Sequence, residues 1–239
     1  DPRLETREVP VARADLVAEP CADLRRAVDL APDEDPGVRA LPAGLLGLGA
    51  WGRGDLNGAL RDLTTGMRGF QDQGDAAAAL SFTFAIAEVQ ADLGRLQDAV
   101  ATYEEAQRYA RRQSTATLPG ETEVHVGLAE ALLERGNADE AEVELRAGEA
   151  LGAAGILTGD EARLAAARAR VWFALGDAET ALNLLDRADA MAVPGPMPPV
   201  HPTGATRARI RLAQGRWAEA RAWAEAQGPA SELAPSYVD

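Results

Sequence analysis

The strongest constraint on the fold of this chain is a repeat of about forty residues. Each repeat contains a glycine and, five positions after it, an alanine. Successive glycines lie 39 to 42 residues apart, and the pairs are Gly54/Ala59, Gly94/Ala99, Gly136/Ala141, Gly176/Ala181 and Gly215/Ala220. Another small residue stands seven positions before each glycine, namely Gly47, Ala87, Ala129, Ala169 and Ala208. Self-similarity at a fixed period indicates an array of similar structural units.

Each repeat has the sequence pattern of a helical hairpin. Its glycine can adopt the left-handed conformation that ends a first helix. The residue after the glycine (Asp55, Asn137 or Asp177) is suited to cap a second helix, and Glu140 completes a capping box with Asn137. The small residues on either side of the turn would face each other where the two helices cross closely. The sequence therefore predicts an all-α fold, an α-solenoid of about six antiparallel helical hairpins.

The repeat also predicts how the chain is organised. We expect a single solenoid domain over residues 1–239, with a degraded first hairpin in residues 1–35 that turns near Glu19-Pro20. Residues 193–204 hold five prolines, so we expect an irregular, stiff loop there, between the fourth and fifth clear hairpins.

Helix starts are predicted at two further places. Asp35-Pro36 puts a cap before a proline at the first helical position, although Pro42 offers a later start or a kink. Thr158 and Glu161 have the spacing of a capping box.

Larger apolar side chains recur at three- and four-residue steps and should fill the helix interfaces. They include Leu45, Tyr103, Val143 and Leu175. We expect the tryptophans to pack in the core or between hairpins as well, and these are Trp51, Trp172, Trp217 and Trp223.

Charge and composition exclude several kinds of function. The formal charge is −14, which has the wrong sign for direct binding of nucleic acid phosphates or anionic membranes. All 24 positive charges are arginine, so mechanisms that require a lysine, such as a Schiff base or a phosphate loop, are excluded.

The chain ends and the single cysteine bear on context. The sequence starts at Asp1 without a methionine, and we interpret it as a piece of a longer protein. It contains no signal peptide and no run of 18 apolar residues, so we expect no membrane contact. Cys21 is alone and cannot form an internal disulfide, which fits a cytoplasmic location.

The spacing of the small residues around the turn glycine resembles the tetratricopeptide repeat, which forms right-handed superhelices. The period exceeds the 34 residues of the ordinary form. Longer helices of this kind are typical of the solenoid in large LuxR-type regulators related to MalT, and about residues 40 to 239 share the resemblance. The stretches that carry it are 54–63, 94–106, 128–141, 213–224 and 235–237.

The resemblance implies a modular protein. In this family an ATPase module precedes the solenoid and a DNA-binding helix-turn-helix follows it, and the solenoid receives the inducer and partner proteins. The present sequence contains neither a phosphate loop nor a basic recognition helix. What the resemblance implies for it is signal reception without catalysis and without a cofactor.

In tetratricopeptide arrays the first helices line the inner, concave groove. In each repeat, the residue directly after the small residue would therefore face this groove. Together these residues form the inward column, which consists of Leu48, Glu88, Glu130, Arg170 and Arg209. Neighbouring inward positions are Phe84, Asp92, Glu123, Glu134, Arg163 and Phe173. We predict a groove that changes from acidic in its middle to basic near its C-terminal end. The binding candidates are Phe84, Glu88, Glu130, Glu134, Arg163, Arg170, Phe173 and Arg209.

Two functions remain open for this groove. One is a sensor that binds a small-molecule effector or a regulatory protein and relays the signal to the ATPase and helix-turn-helix modules. The other is a scaffold that binds a partner's helix or peptide without a small ligand. The alternative interpretation of the charged column is a solvated surface whose arginines pair locally with carboxylates.

Other specialised sites are disfavoured. A chaperone-binding clamp would need lysines on the inward positions, where this chain has glutamate and arginine. We expect His125 to pack against the preceding hairpin and His201 to be exposed in the proline-rich loop. Neither histidine has metal-ligand spacing, so we predict no metal site and no enzyme.

Overall fold

The computed structural model describes residues 23–30, 36–113, 116–157, 160–192 and 201–227. Every regular element in these ranges is helical. Residues 23–30 form α1, and a short 3₁₀ turn, Gly152–Ala154, follows α7. The remaining helices are α2 (Pro36–Gly52), α3 (Leu56–Asp72), α4 (Ala76–Asp92), α5 (Leu96–Gln113), α6 (Glu121–Glu134), α7 (Ala138–Ala150), α8 (Glu161–Ala174), α9 (Ala178–Met191), α10 (Thr203–Ala213) and α11 (Trp217–Ala226).

Helices α2 to α11 form five antiparallel hairpins, as the repeat predicts. Each predicted turn glycine has a positive φ, at Gly54, Gly94, Gly136, Gly176 and Gly215. The structure shows a further turn of the same kind at Gly74, between α3 and α4, which is not among the predicted turns. The pattern Gly74-Asp75 followed by Ala79 could have revealed it.

The helix caps follow the prediction at two of three positions. The Asp55 and Asp177 carboxylates accept hydrogen bonds from the backbone N–H groups of Gly58 and Thr180. Asn137 occupies the N-cap position of α7, but its side chain makes no capping bond and instead donates to Glu140. The predicted capping box is therefore wrong there.

The small-residue columns lie where the helices of each hairpin cross. Three alanine pairs are fully buried on both sides, namely Ala87/Ala99, Ala129/Ala141 and Ala169/Ala181, and so is Ala59 opposite Gly47. Ala208 and Ala220 are buried nearly as well. At Gly47, a Cβ would lie only 2.7 Å from the Leu63 backbone nitrogen, so the crossing requires glycine. Close helix crossing thus explains why alanine recurs at these positions of the repeat.

The arrangement of hairpins defines two sides of the array. The first helices α4, α6, α8 and α10 contact one another in sequence, whereas the described second helices contact mainly their hairpin partners and the next first helix. The first helices therefore line the inner side. A core built around Tyr103, Leu145 and Val171 runs between α4 and α8, and a second core surrounds Trp51.

Several boundaries differ from the sequence prediction. Helix α2 begins at Pro36 and continues through Pro42, so the earlier of the two predicted starts is right. Helix α8 has Asp160 at its N-cap, and the predicted cap Thr158 lies outside the described residues. Helix α10 begins at Thr203, so the predicted loop over 193–204 ends earlier, and residues 193–200 lie outside the described part.

The first hairpin is only partly described. The predicted turn at Glu19-Pro20 falls outside the described residues, and 23–30 are helical. Four large apolar side chains that we expected to pack are instead exposed: Leu45, Val143, Leu175 and Trp217. Trp217 begins α11, the last described helix, where no further hairpin in the described residues covers its outer face.

Candidate functional site

Two glutamates of the predicted groove column are buried on the inner side of the array. Glu88 lies on α4 and Glu130 on the equivalent position of α6, and their exposed fractions are 5% and 4%. A buried carboxylate is costly unless a charged or hydrogen-bonding partner compensates it. Both glutamates find that partner in Arg163 on α8, whose Nη2 lies 2.7 Å from Glu130 Oε2 and 3.2 Å from Glu88 Oε1.

A second arginine on α8 completes the arrangement. Arg170 Nη1 donates to Glu130 Oε1 at 3.0 Å, and its Nη2 donates to Glu134 Oε1 at 2.5 Å. Arg170 is buried, whereas the Glu134 side chain is 48% exposed. Glu134 therefore forms the solvent edge of the group. We call Glu88, Glu130, Glu134, Arg163 and Arg170 the concave charge cluster.

Two aromatic side chains position the inner end of the concave charge cluster. The Arg163 guanidinium lies over the Phe84 ring, 3.9 Å from its centre, which is a cation–π contact. The Tyr103 hydroxyl donates to Glu88 Oε1 at 2.5 Å. Tyr103 lies on the second helix α5, where the sequence pattern suggested only apolar packing. A buried tyrosine hydroxyl needs a hydrogen-bond partner, so a tyrosine at a packing position was the sequence signal for a nearby polar side chain.

The two buried carboxyl groups titrate differently. Burial raises the pKa of Glu88 to about 7, because Arg163 only partly offsets desolvation and the Glu130 charge adds repulsion. Burial alone would also raise the pKa of Glu130, but Arg163, His201 and Arg170 together lower it to about 2. Glu130 thus holds its charge while Glu88 can take up a proton near neutral pH.

His201 lies beside the concave charge cluster, which corrects the prediction that it is exposed. Its Nε2 is 3.8 Å from Glu130 Oε1, and the side chain is 29% exposed. Burial lowers the pKa of His201 to about 4, although the Glu130 charge opposes the change. Residue spacing does not reveal that His201, two positions before α10, lies beside Glu130 of α6.

The other groove candidates lie apart from this cluster. Phe173 packs in a core between α8, α9 and α10, and Arg209 is exposed on α10. Asp92 accepts a hydrogen bond from Trp51 Nε1 at 2.7 Å, and Glu123 accepts one from the Leu157 backbone. The predicted change from an acidic middle to a basic end is wrong at the centre of the groove, because the α8 arginines pair with the α4 and α6 carboxylates.

His125 does contact the preceding hairpin, as expected, through Gln107, and it also bonds Glu144 of its own hairpin. Within the described ranges, no three His, Cys, Asp or Glu side chains come together to hold a metal ion. None of the described helices combines the length and the apolar character that a bilayer crossing requires.

Paired antiparallel helices, left-handed turn glycines and first helices on the inner side define a tetratricopeptide-like α-solenoid. The sequence matches the profile of the MalT-like TPR region over residues 18–239, and the chain belongs to this family. Among curated proteins, none matches this sequence.

Two crystal structures share the fold. BtubC (BKLC) from P. vanneervenii is 16% identical with a TM-score of 0.61, over 88% of this chain and 89% of that chain. A putative kinesin light chain of Podosopora anserina with TPR-like repeats is 21% identical with a TM-score of 0.51, over 80% and 93%. At such identities the likeness concerns the fold alone.

Proposed function

We propose that this domain is a non-catalytic signal receiver of a MalT-like regulator of the LuxR family, working in the cytoplasm. An effector, either a small molecule or a protein, binds on the concave side through the concave charge cluster. The domain then relays binding to an ATPase module and a DNA-binding helix-turn-helix module of the same protein. Family membership supports the modular context, and the cluster supports the place of binding.

The observation that carries this proposal is a set of five paired charged groups on the inner side of the array, of which Glu88, Glu130 and Arg170 are buried and Arg163 is partly buried. Desolvating an ion pair cancels most of its Coulombic attraction, so apolar side chains of similar volume would stabilise the fold as well or better. The cluster therefore indicates a role other than stability. One such role is recognition of a charged group on an effector, which would replace one member of an ion pair in the cluster.

The geometry suggests how exchange would occur. Glu134 is the most exposed member, so a carboxylate of an effector can replace it on Arg170 with the least disturbance. A cationic group of the same effector can then meet the displaced Glu134 carboxylate. Because the cluster joins α4, α6 and α8, a change in its bonding alters how three consecutive hairpins are held.

A scaffold that binds a partner peptide or helix, with no small ligand, is the second candidate. A narrow cleft beside Arg163, lined also by Glu123 and Asp160, has no room for a water molecule. This cleft therefore offers no enclosed pocket for a small molecule. An open surface suits an extended partner better than an enclosed pocket would.

A thermal-shift screen of sugars, amino acids, nucleotides and short charged peptides separates the two candidates. A ligand that binds only the folded state raises the melting temperature by mass action. We expect a metabolite to do so in the wild type and to lose its effect in E134Q and R170M. The control R221A changes an exposed arginine on α11 and should respond like the wild type.

Other outcomes point elsewhere. A response to peptides alone would favour the scaffold. A response that E134Q and R170M leave unchanged, in variants that remain folded by circular dichroism, would remove the concave charge cluster from either function.

A further inference from the structure

A cleft of about 190 Å³ lies between α5 and the α6–α7 hairpin, away from the concave charge cluster. Its apolar wall consists of Ala106, Ala110, Val124 and Leu151. His125 also lines it, and this residue lies five positions before Glu130, about 140° around α6 from it, so the two side chains lie on different sides of the helix. The cleft is thus a separate feature of the fold.

The repeat shows why this space is open. In the preceding unit, the Phe70 ring on α3 stacks against the Phe82 ring on α4, with centres 5.4 Å apart. The same glycine spacings place Ala110 forty residues after Phe70 and Val124 forty-two residues after Phe82. Two aromatic rings fill the interface in one unit, whereas an alanine and a valine leave it open in the next.

The size of the space indicates what fits. An apolar cavity of about 150 Å³ in another protein holds benzene. The present cleft is somewhat larger and is shaped by positions that hold phenylalanine rings elsewhere in the chain. A single aromatic ring with one polar substituent matches both its volume and its apolar wall.

The polar residues that line the cleft are Gln107, Arg111, Glu121 and His125, and His125 is held by Glu144 of its own hairpin. Glu144 Oε2 lies 2.7 Å from His125 Nδ1 and 2.8 Å from Gln107 Nε2. Hydrogen bonds from His125 and Gln107 lower the pKa of Glu144, so the carboxylate is ionised and accepts from both nitrogens. In a neutral imidazole whose Nδ1 donates, Nε2 is an acceptor. A ligand that bonds His125 at Nε2 therefore supplies a donor.

We propose that this cleft binds a small molecule that carries one aromatic ring and a hydrogen-bond donor. The inference is independent of the proposed function, because it concerns the interface between α5 and α6 rather than the concave charge cluster. A ligand there contacts two adjacent hairpins and so stabilises one arrangement of the pair.

Phenol and toluene are suitable probes, since they share a ring and differ in the donor. We would titrate each into the protein at about pH 8 and follow backbone amide signals by NMR. We expect saturable shifts centred on Ala106, Ala110 and Val124, with phenol bound about fivefold or more tightly than toluene. Absence of saturable shifts at these residues with both probes would overturn the proposal.

The location of the binding site is tested by variants that fill the cleft with a phenylalanine ring, as in the preceding unit. A110F restores the ring found at Phe70 and should weaken phenol binding about tenfold or more, while A101F, on an exposed position of α5, should leave it unchanged. Circular dichroism checks folding, and V124F replaces A110F if that variant unfolds. Phenol binding that persists in the folded filling variant would contradict the assignment.

The role of His125 as the hydrogen-bond acceptor for the ligand is tested by H125F. We expect toluene binding to remain and the preference for phenol to disappear. A preference that survives this change would show that His125 does not select the donor.

Discussion

Arg163 on α8 hydrogen-bonds Glu88 on α4, which lies 75 residues earlier in the chain, with 3.2 Å between Nη2 and Oε1. The same nitrogen bonds Glu130 on α6, so one guanidinium joins three successive hairpins. Adjacent repeats of a solenoid normally depend on contacts with their nearest neighbours alone. Arg163 adds a connection that skips one repeat and therefore couples the orientation of the outer two hairpins to the middle one.

Removing this guanidinium should destabilise the fold strongly. R163M keeps much of the side chain over Phe84 but leaves Glu88 buried without its cation, which typically costs about 3–5 kcal/mol. Urea denaturation of R163M, E88Q and the double variant measures the coupling between the two residues. We expect a coupling energy of about 1–3 kcal/mol. Additive effects of the two changes would contradict the bond, and R221A should have little effect.

Stability should depend on pH through Glu88. Its pKa is about 7 in the folded protein against an ordinary 4.5, so the folded state binds more protons between these values. Stability contributed by this group therefore falls as pH rises from about 4.5 to about 7. Asp92, Glu123 and Asp160 also have raised pKa values and add to the same trend.

E88Q should reduce this decline, since the neutral amide resembles the protonated acid. We expect E88Q to gain stability relative to the wild type between about pH 5 and pH 8, on the order of 1–3 kcal/mol. Urea midpoints at the two pH values provide the measurement, with E104Q on the exposed face of α5 as the control. Parallel pH curves for E88Q and the wild type would show that Glu88 does not titrate in this window.

The helix caps give a matched pair of substitutions. Asp55 accepts from the Gly58 N–H at 2.9 Å, so D55A should cost about 1 kcal/mol. Asn137 occupies the equivalent position on α7 without a capping bond, and N137A should cost clearly less. Thermal unfolding of both variants gives the comparison, and equal losses would mean that the carboxylate bond is not what stabilises α3.

Two glycines of α2 should respond in opposite directions to alanine. At Gly47 the new Cβ would meet the Leu63 backbone nitrogen at 2.7 Å, so G47A should destabilise by about 1–3 kcal/mol. Gly52 has no atom within 4 Å of that position, and alanine there should be neutral or stabilise by up to about 1 kcal/mol. Chemical denaturation distinguishes the two, and similar effects would argue against close packing of α2 on α3.

Much of the fold could be predicted from sequence, because its determinants are local. The turn at Gly94 needs a left-handed residue, and the crossing of Ala87 with Ala99 needs two small ones, so both leave a fixed spacing. Exposure was harder to predict. Val143 and Trp217 follow the apolar pattern, but the neighbouring helices do not cover them.

The candidate site was only partly accessible from sequence. Glu88, Glu130 and Arg170 belong to the inward column and lie on one side of the array, because the repeat fixes the facing of each helix. Their pairing was not predictable, since it depends on the rotation between successive hairpins. That rotation brings Arg163 back to α4 and His201 to Glu130.

The most direct test of the account follows the arginine side chains themselves. NMR signals of the Nε–H groups would be recorded with and without whichever metabolite or peptide raises the melting temperature in the screen. We expect the signals of Arg163 and Arg170 to shift on binding and those of the exposed Arg61 and Arg221 to stay unchanged. Saturable binding that leaves Arg163 and Arg170 unmoved would contradict the claim that the concave charge cluster receives the effector.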